Sequence, residues 1–236
     1  MDEDGGFAQY VKTPAASLVP LPEGVSFEVA AILSDAVATP YHALVARAAL
    51  RQGESVAIFG CGGLGAHAVQ LARALGAGAV IAVDVRPGAL ERARTLGADS
   101  VVNGTQEDPS KAIRRITGDG VDLALECVGR AGTIAQAAKS LRPGGRAVVV
   151  GMGSEPINLP PPALFAWREH ALLGSFGSTR ADLDAVVDLV RSGRLDSSGS
   201  ISARLPLREA ERALGMLERG EGDPVRIVLL PWEEAG

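Results

Sequence analysis

The sequence is poor in the residues that crosslink chains or hold metals. It has two cysteines and three histidines in 236 residues. Cys61 and Cys127 lie far apart in unlike contexts, so neither a disulfide framework nor a cysteine zinc motif is expected. His42, His67 and His170 show no paired spacing of the H-x-x-x-H kind, and a catalytic zinc needs three protein ligands. Aromatic residues make up only 4%. Positive charge is neither abundant nor clustered, and the net charge is −5, so no nucleic-acid footprint is expected. No apolar run in the sequence approaches membrane-spanning length. The acidic start, Met1-Asp2-Glu3-Asp4, lacks a signal-peptide pattern, so the expectation is a soluble cytoplasmic protein.

What is present is small and apolar. Hydrophobic residues reach 47%, charged residues 22%, and glycine occurs 29 times, which suits closely packed α/β layers with tight turns. Short runs rich in Val and Ile, apolar on both faces, predict strands at 55–59, 79–84, 100–102, 121–126, 146–150 and 172–176. Helices are expected between them at 63–75, 87–96, 109–117, 131–141 and 181–190, several ending at Gly or opening at Pro. This rhythm predicts an α/β fold: a doubly wound, six-stranded parallel Rossmann sheet with helices on both faces, plus small flanking pieces of a second domain. The expected division is 1–38, 39–198 and 199–236. A proline-rich loop at 156–162 interrupts the rhythm, and the C-terminal piece carries a helix at 207–219 and a strand at 225–230.

The chemistry-bearing motif is Gly60-Cys61-Gly62-Gly63-Leu64-Gly65, between a predicted strand and a predicted helix. Bare backbone at Gly60, Gly62 and Gly63 lets a pyrophosphate approach a helix N-terminus, whose N–H groups and dipole favour an anion. Gly65 lets helix and strand pack closely, with Leu64 opening the helix. Asp84 ends the next strand, where a carboxylate accepts hydrogen bonds from both hydroxyls of an adenosine ribose and repels a 2′-phosphate. NAD is therefore favoured over NADP, although Arg86 weighs the other way. The bland alternative is a tight turn and a helix-capping aspartate. Cys61 reads as a small spacer and His67 as an ordinary helix residue. Asp122 and Glu126 are tempting carboxylates, but a buried-strand Glu126 reads as a hydrogen-bonded structural group.

Taken with other segments, these residues resemble the medium-chain dehydrogenases and reductases, in particular the zinc-binding alcohol dehydrogenases. Gly5-Gly6-Phe7-Ala8-Gln9-Tyr10 and Leu18-Val19-Pro20-Leu21-Pro22 resemble the end of that family's GroES-like catalytic domain. The segment 34–42, the glycine loop, Glu126-Cys127-Val128-Gly129, Arg142-Pro143-Gly144-Gly145 and Val225-Arg226-Ile227-Val228 follow in the family's order. The resemblance implies that Val128, Gly129, Gly151, Met152 and Ser175 lie on the nicotinamide side, and that Arg226 binds pyrophosphate. It implies contact of Thr39 with the nicotinamide, and it places Asp35 where one catalytic-zinc ligand stands.

A full family member carries a further domain ahead of Gly5 that holds most of the substrate pocket and the other zinc ligands. The chain thus reads as a truncated form, with zinc absent and Asp35 either an orphaned ligand or a solvated or capping carboxylate. Without zinc, the candidate donors to a substrate carbonyl are Thr39, Tyr41 and His42; taken singly, Tyr41 and His42 read first as first-turn residues of a helix at 39–50. Three functions stay open. The first is an NAD-dependent oxidoreductase acting on a small alcohol, aldehyde or ketone. The second is a non-catalytic NAD(H)-binding module needing a partner domain. The third is a zinc-free quinone or enoyl reductase. An apolar sixth strand at the sheet edge predicts a homo-oligomer joined there.

Overall fold

The computed structural model describes residues 5–232. Two compact units emerge from the backbone: Asp35–Thr179, and the flanks up to Ser34 together with Arg180 onward. The expected boundaries at 38/39 and 198/199 differ from this division in giving 35–38 to the flank and 180–198 to the sheet unit.

The central unit is built on six parallel strands: β1 (Ser55–Phe59), β2 (Ala79–Asp84), β3 (Ser100–Asn103), β4 (Val121–Glu126), β5 (Leu141–Val149) and β6 (Ala171–Gly174). Their order is β3-β2-β1-β4-β5-β6. The chain winds outward from β1 to β3, then returns to lay β4 against the other side of β1, with Val56 opposite both Val80 and Leu123. The strands are buried on both faces because helices cover both: Val56, Ala57, Ile58, Leu123, Ala124 and Leu125 are all inaccessible. The sheet is the six-stranded parallel array expected from the sequence.

Each helix of this unit starts and stops for local reasons. Helix α4 (Pro87–Thr95) and α5 (Pro109–Thr117) open with proline, which has no N–H to waste at a helix start. The Asp108 carboxylate caps α5 by accepting the N–H groups of Ser110 and Lys111, and Gly118 ends it at φ 89°. Helix α3 (Gly65–Ala74) and α6 (Ala131–Lys139) are rich in alanine and glycine, so they sit close to the sheet. Strand β5 begins at Leu141, not at 146, because its register against β4 shifts between Val121 and Leu123 and absorbs Arg142-Pro143-Gly144-Gly145. A short helix, α7 (Pro162–Trp167), follows the proline-rich loop where the sequence predicted none; Pro162 at its first turn starts it.

Residues 27–47 form one continuous helix, with α-helical turns at α1 (Phe27–Ile32) and α2 (Ala38–His42) and wider π-type turns at Leu33–Val37 and Ala43–Arg47. It corrects two expectations. The helix starts well before residue 39, with Ser26 accepting the N–H of Val29 as its cap. Its 21 residues, at a mean hydropathy of 1.4, also suffice by length and composition to cross a membrane, although Glu28 and Asp35 break the run in the sequence; half of the apolar window is buried within the protein, as in the core helix of a globular chain.

In the flanking unit, α8 (Arg180–Arg191) precedes a two-stranded parallel sheet, β7 (Ile201–Pro206) with β8 (Arg226–Leu230), joined through α9 (Ala210–Arg219). Gln9 donates to the Pro231 carbonyl at 3.1 Å, and Tyr10 meets Trp232 edge-on at 5.2 Å.

A polar lock closes the N-terminal edge of the central sheet. Arg146 on β5 donates to both oxygens of Glu54, at 3.1 and 2.6 Å, and to the carbonyls of Ala48 and Ala49. Asp122 on β4 accepts the Ser55 N–H at 2.8 Å, its hydroxyl at 2.6 Å and the Arg142 guanidinium at 2.6 Å. Burial pushes both carboxyls up, but these donors outweigh it and hold Glu54 and Asp122 below their ordinary values of 4.5 and 3.8. A depressed carboxyl contributes stability above its unfolded pKa and loses it as pH falls through the folded value. Arg146→Met should therefore cost about 3 kcal/mol at pH 7 by stranding Glu54. The gap between variant and wild type should narrow as the pH is lowered through the carboxylate range. Urea denaturation at pH 7 and pH 4 checks this; a gap independent of pH would remove the Glu54 pairing from the account.

Candidate functional site

The site lies at the topological switch point, beyond the carboxyl ends of β1 and β4, where open α/β sheets place ligands. A cavity of about 640 Å³ opens there. Its floor is the glycine loop: Gly60, Gly62, Gly63, Leu64 and Gly65 all line it. Asp84 and Arg86 form the wall on the β2 side, and Val128 and Thr133 the wall on the β4 side.

The glycines divide into two kinds. Gly65 is where α3 meets β1: a Cβ there would stand 1.7 Å from the Gly60 carbonyl oxygen. Gly60 sits at φ 85°, with Val128 over its open face. These two hold the turn. Gly62 is different, since a Cβ there would meet nothing nearer than the Arg86 guanidinium at 3.7 Å and would protrude into the cavity. Its bareness serves whatever enters. This cradle fits the pyrophosphate of a dinucleotide, which needs bare backbone and a helix N-terminus in just this relation.

The acidic groups around the cavity are already engaged. Asp84 Oδ2 accepts the Cys61 N–H at 2.7 Å, which ties the glycine loop to the end of β2. Asp84 Oδ1 accepts the N–H groups of Val85 at 2.8 Å and Arg86 at 2.9 Å. Glu126 is fully buried at the end of β4 and accepts from the Val128 and Gly129 N–H groups, both at 2.9 Å, and from the Thr133 hydroxyl at 2.7 Å. It shapes the turn into α6. Glu155 reaches the start of the same helix, accepting the Ala131 N–H at 3.1 Å. Gly129, Gly151 and Gly153 interlock beside this turn, for a Cβ on Gly153 would lie 1.8 Å from the Gly129 oxygen.

Neither thiol is poised to react. Burial, then the charge of Asp84, push the Cys61 thiol up to about 12, which agrees with its reading as a spacer. Cys127 is likewise pushed up, by burial and then by Glu126. His67 is buried within α3.

The remaining sequence candidates lie apart from the cavity lining. Thr39 is nearly buried, and its hydroxyl donates to Asp35 Oδ1 at 3.2 Å, one helical turn away. Asp35 is thus inside a helix and not at its cap. Tyr41 and His42 follow on α2 and are half-buried. Met152 is exposed in the loop after β5. Ser175 follows β6, its N–H donating to the Val149 carbonyl at 2.9 Å. Arg226 begins β8 in the flanking unit, opposite Ile201. Among the described residues, no group of three or more His, Cys, Asp or Glu side chains is placed to hold a metal ion. Sequence reasoning missed Arg130, Gln136 and Glu155 on the cavity wall. Arg130, directly after a Gly that ends the β4 turn, was the most findable of the three; Glu155 sits in a loop without pattern.

Comparison with known proteins gives one consistent picture. Residues 63–192 match the family model described as zinc-binding dehydrogenase. The chain is 37% identical over 229 residues to an alcohol dehydrogenase of Geobacillus stearothermophilus, covering 96% of this chain and 64% of that one. It is 30% identical over 232 residues to the sorbitol dehydrogenase of Bacillus subtilis strain 168, covering 97% of this chain and 64% of that one. The solved structure of an NAD-dependent alcohol dehydrogenase superposes with a TM-score of 0.86 at 31% identity, covering 98% of this chain and 66% of that one. The chain therefore spans a little under two thirds of the curated relatives it matches.

The two kinds of glycine predict opposite stabilities. Gly65→Ala should cost about 3 kcal/mol, since helix and strand must part to admit the methyl. Gly62→Ala should stay within about 0.5 kcal/mol of wild type. Thermal denaturation of both variants checks the pair, and equal losses would refute the division.

Proposed function

Because this chain belongs to the zinc-binding dehydrogenase family, we propose that its central unit binds a nicotinamide dinucleotide, NAD(H). We propose further that it serves an oxidoreductase interconverting a small alcohol with its aldehyde or ketone in the cytoplasm. The observation that carries this reading is the glycine cradle at the switch point, with Gly62 bare toward the cavity and Asp84 on its rim. The named relatives, an alcohol and a sorbitol dehydrogenase, support the substrate class.

When bound, the nicotinamide supplies hydride chemistry; the protein's share is to bind, orient and exclude water. In this reading the loop N–H groups and the start of α3 hold the pyrophosphate, and Asp84 receives the adenosine ribose. Gly129, Gly151, Met152 and Ser175 belong to the nicotinamide side, and Arg226 adds a cation for the phosphates. Thr39, Tyr41 and His42 are the candidate donors to the substrate oxygen. The Thr39 hydroxyl donates its one proton to Asp35 Oδ1 in this structure, so it must leave that acceptor before it can donate to a substrate oxygen. Among the described residues the donor set does not fit a zinc ion. That observation also favours a second reading, in which this chain holds the dinucleotide and another domain supplies the carbonyl site.

We also propose a homodimer formed along β6. Among the described residues this strand is an edge of the sheet, paired with β5 alone, and its outer backbone groups are a template for a second copy.

Three measurements test these readings. Purified, EDTA-treated protein should quench or shift NADH fluorescence, and Gly62→Ala should weaken that binding by tenfold or more, about 1.4 kcal/mol. NADH oxidation against a panel of aldehydes and ketones then separates the readings: turnover supports a hydride-transfer site in this chain, and binding without turnover supports the cofactor module. Absence of binding would sink both. Light scattering should give twice the chain mass of 24.2 kDa, and a monomer would remove the β6 interface.

A further inference from the structure

The loop after β5 is held to the turn after β4 in two ways. The first is backbone against backbone. The N–H groups of Val150 and Gly151 both donate to the Glu126 carbonyl, at 2.8 and 3.0 Å. A Cβ on Gly151 would stand 2.1 Å from the Gly129 nitrogen, and one on Gly153 would stand 1.8 Å from the Gly129 oxygen. The loop therefore lies flat on Gly129 as far as Gly153.

The second is a single side chain. Glu155 Oε2 accepts the Ala131 N–H at 3.1 Å, from 24 residues further along the chain. Among the described residues this is the one hydrogen bond that ties 152–160 to the rest of the protein, and 152–159 are all exposed. Beyond it runs Pro156-Ile157-Asn158-Leu159-Pro160-Pro161, where the prolines have no N–H to donate.

Helix α6 needs such an acceptor, because the first N–H groups of a helix have no partner within it. The residue at its cap is Arg130, whose side chain makes no capping hydrogen bond and has no acceptor to offer. A Ser, Asp or Asn at 130 would serve the helix alone. A carboxylate brought from 155 serves the helix, whose dipole favours it there, and fastens the loop by the same contact. Glu155 also lines the cavity together with Arg130, Gly132 and Thr133, so the fastening stands on the wall that a ligand meets.

We propose that Glu155 is a positioning residue: by capping α6 from the loop after β5, it fixes residues 151–155 against the β4 side of the cavity and presents them to the nicotinamide half of the dinucleotide. This role rests on the dinucleotide reading, which gives Gly151 and Met152 to that half. Glu155 acts through an acceptor oxygen rather than through its charge, and glutamine keeps such an oxygen.

The test uses the full chain as wild type, Glu155→Ala and Glu155→Gln, titrated with NADH by fluorescence and with ADP by calorimetry. ADP carries the adenosine and two phosphates without the nicotinamide half. Glu155→Ala should weaken NADH binding by about fivefold or more, the effect of a lost cap, and leave ADP within about twofold of wild type. Glu155→Gln should keep NADH within about twofold of wild type. Hydrogen exchange over residues 127–134, read by mass spectrometry, should quicken in the alanine variant and not in the glutamine variant. Because the readout is a ratio of two affinities, a general loss of folded protein cancels. A ratio of NADH to ADP affinity unmoved by Glu155→Ala would overturn the inference and leave the dinucleotide reading intact. Equal losses in the alanine and glutamine variants would also overturn it, by making the charge the agent. Binding of neither nucleotide by wild type would overturn the reading on which the role rests.

Discussion

The approach of α3 to the end of β1 governs the rest of the site. Because the Gly60 oxygen leaves no room for a Cβ at Gly65, the start of α3 packs directly on the turn after β1, and Gly62, Gly63, Leu64 and Gly65 line the cavity there. Any side chain at 65 would push the helix away, open the turn and shift those residues. The other features adjust to that contact. Val128 fits over Gly60, Glu126 gathers the N–H groups of the neighbouring turn, and Asp84 fastens Cys61 to β2.

Carboxylates do much of this fastening, and their placement sorts structural groups from chemical ones. Asp122 and Glu54 act at the N-terminal edge of the sheet, far from the ligand end of the strands. Glu126 and Asp84 act at the carboxyl end but face inward, onto backbone N–H groups. A buried carboxylate in this fold is a way of gathering amide donors at strand ends, where the ladder has stopped and N–H groups would otherwise go unpaired.

The sheet was legible because its signals are local and repeated: runs of Val and Ile such as 79–83 lack a polar face, and Pro87, Pro109 and Gly118 mark helix ends by backbone chemistry alone. The glycine loop was legible for the same reason. Other features depend on partners distant in sequence. Strand β5 could not be read back to Leu141, because Pro143 and Gly144 argue against a strand until the bulge opposite Val121 is known. Helix α7 was hidden by the prolines around it, and the long helix from Phe27 by its π-type turns, which break the 3.6-residue period on which Asp35 and Thr39 would be placed. The number of acceptor sites left on Asp84 depends on where three amides point, and no pattern of residue types encodes that.

The return of β4 to the side of β1 bears on how the chain reaches this structure. Ser55 and Asp122, bonded through hydroxyl and carboxylate, are 67 residues apart in sequence. The β1–β2–β3 half can assemble through short crossovers, whereas the β1–β4 pairing must close a long loop before any contact rewards it. Non-local parallel pairing of this kind is slow to close in general, and until β4 is in place β1 has one bare edge rich in aliphatic side chains. The ligand cavity sits across the same seam. A bound nucleotide would bridge the β1–β2–β3 half and the β4 side, and its binding energy would be added to the pairing that joins them.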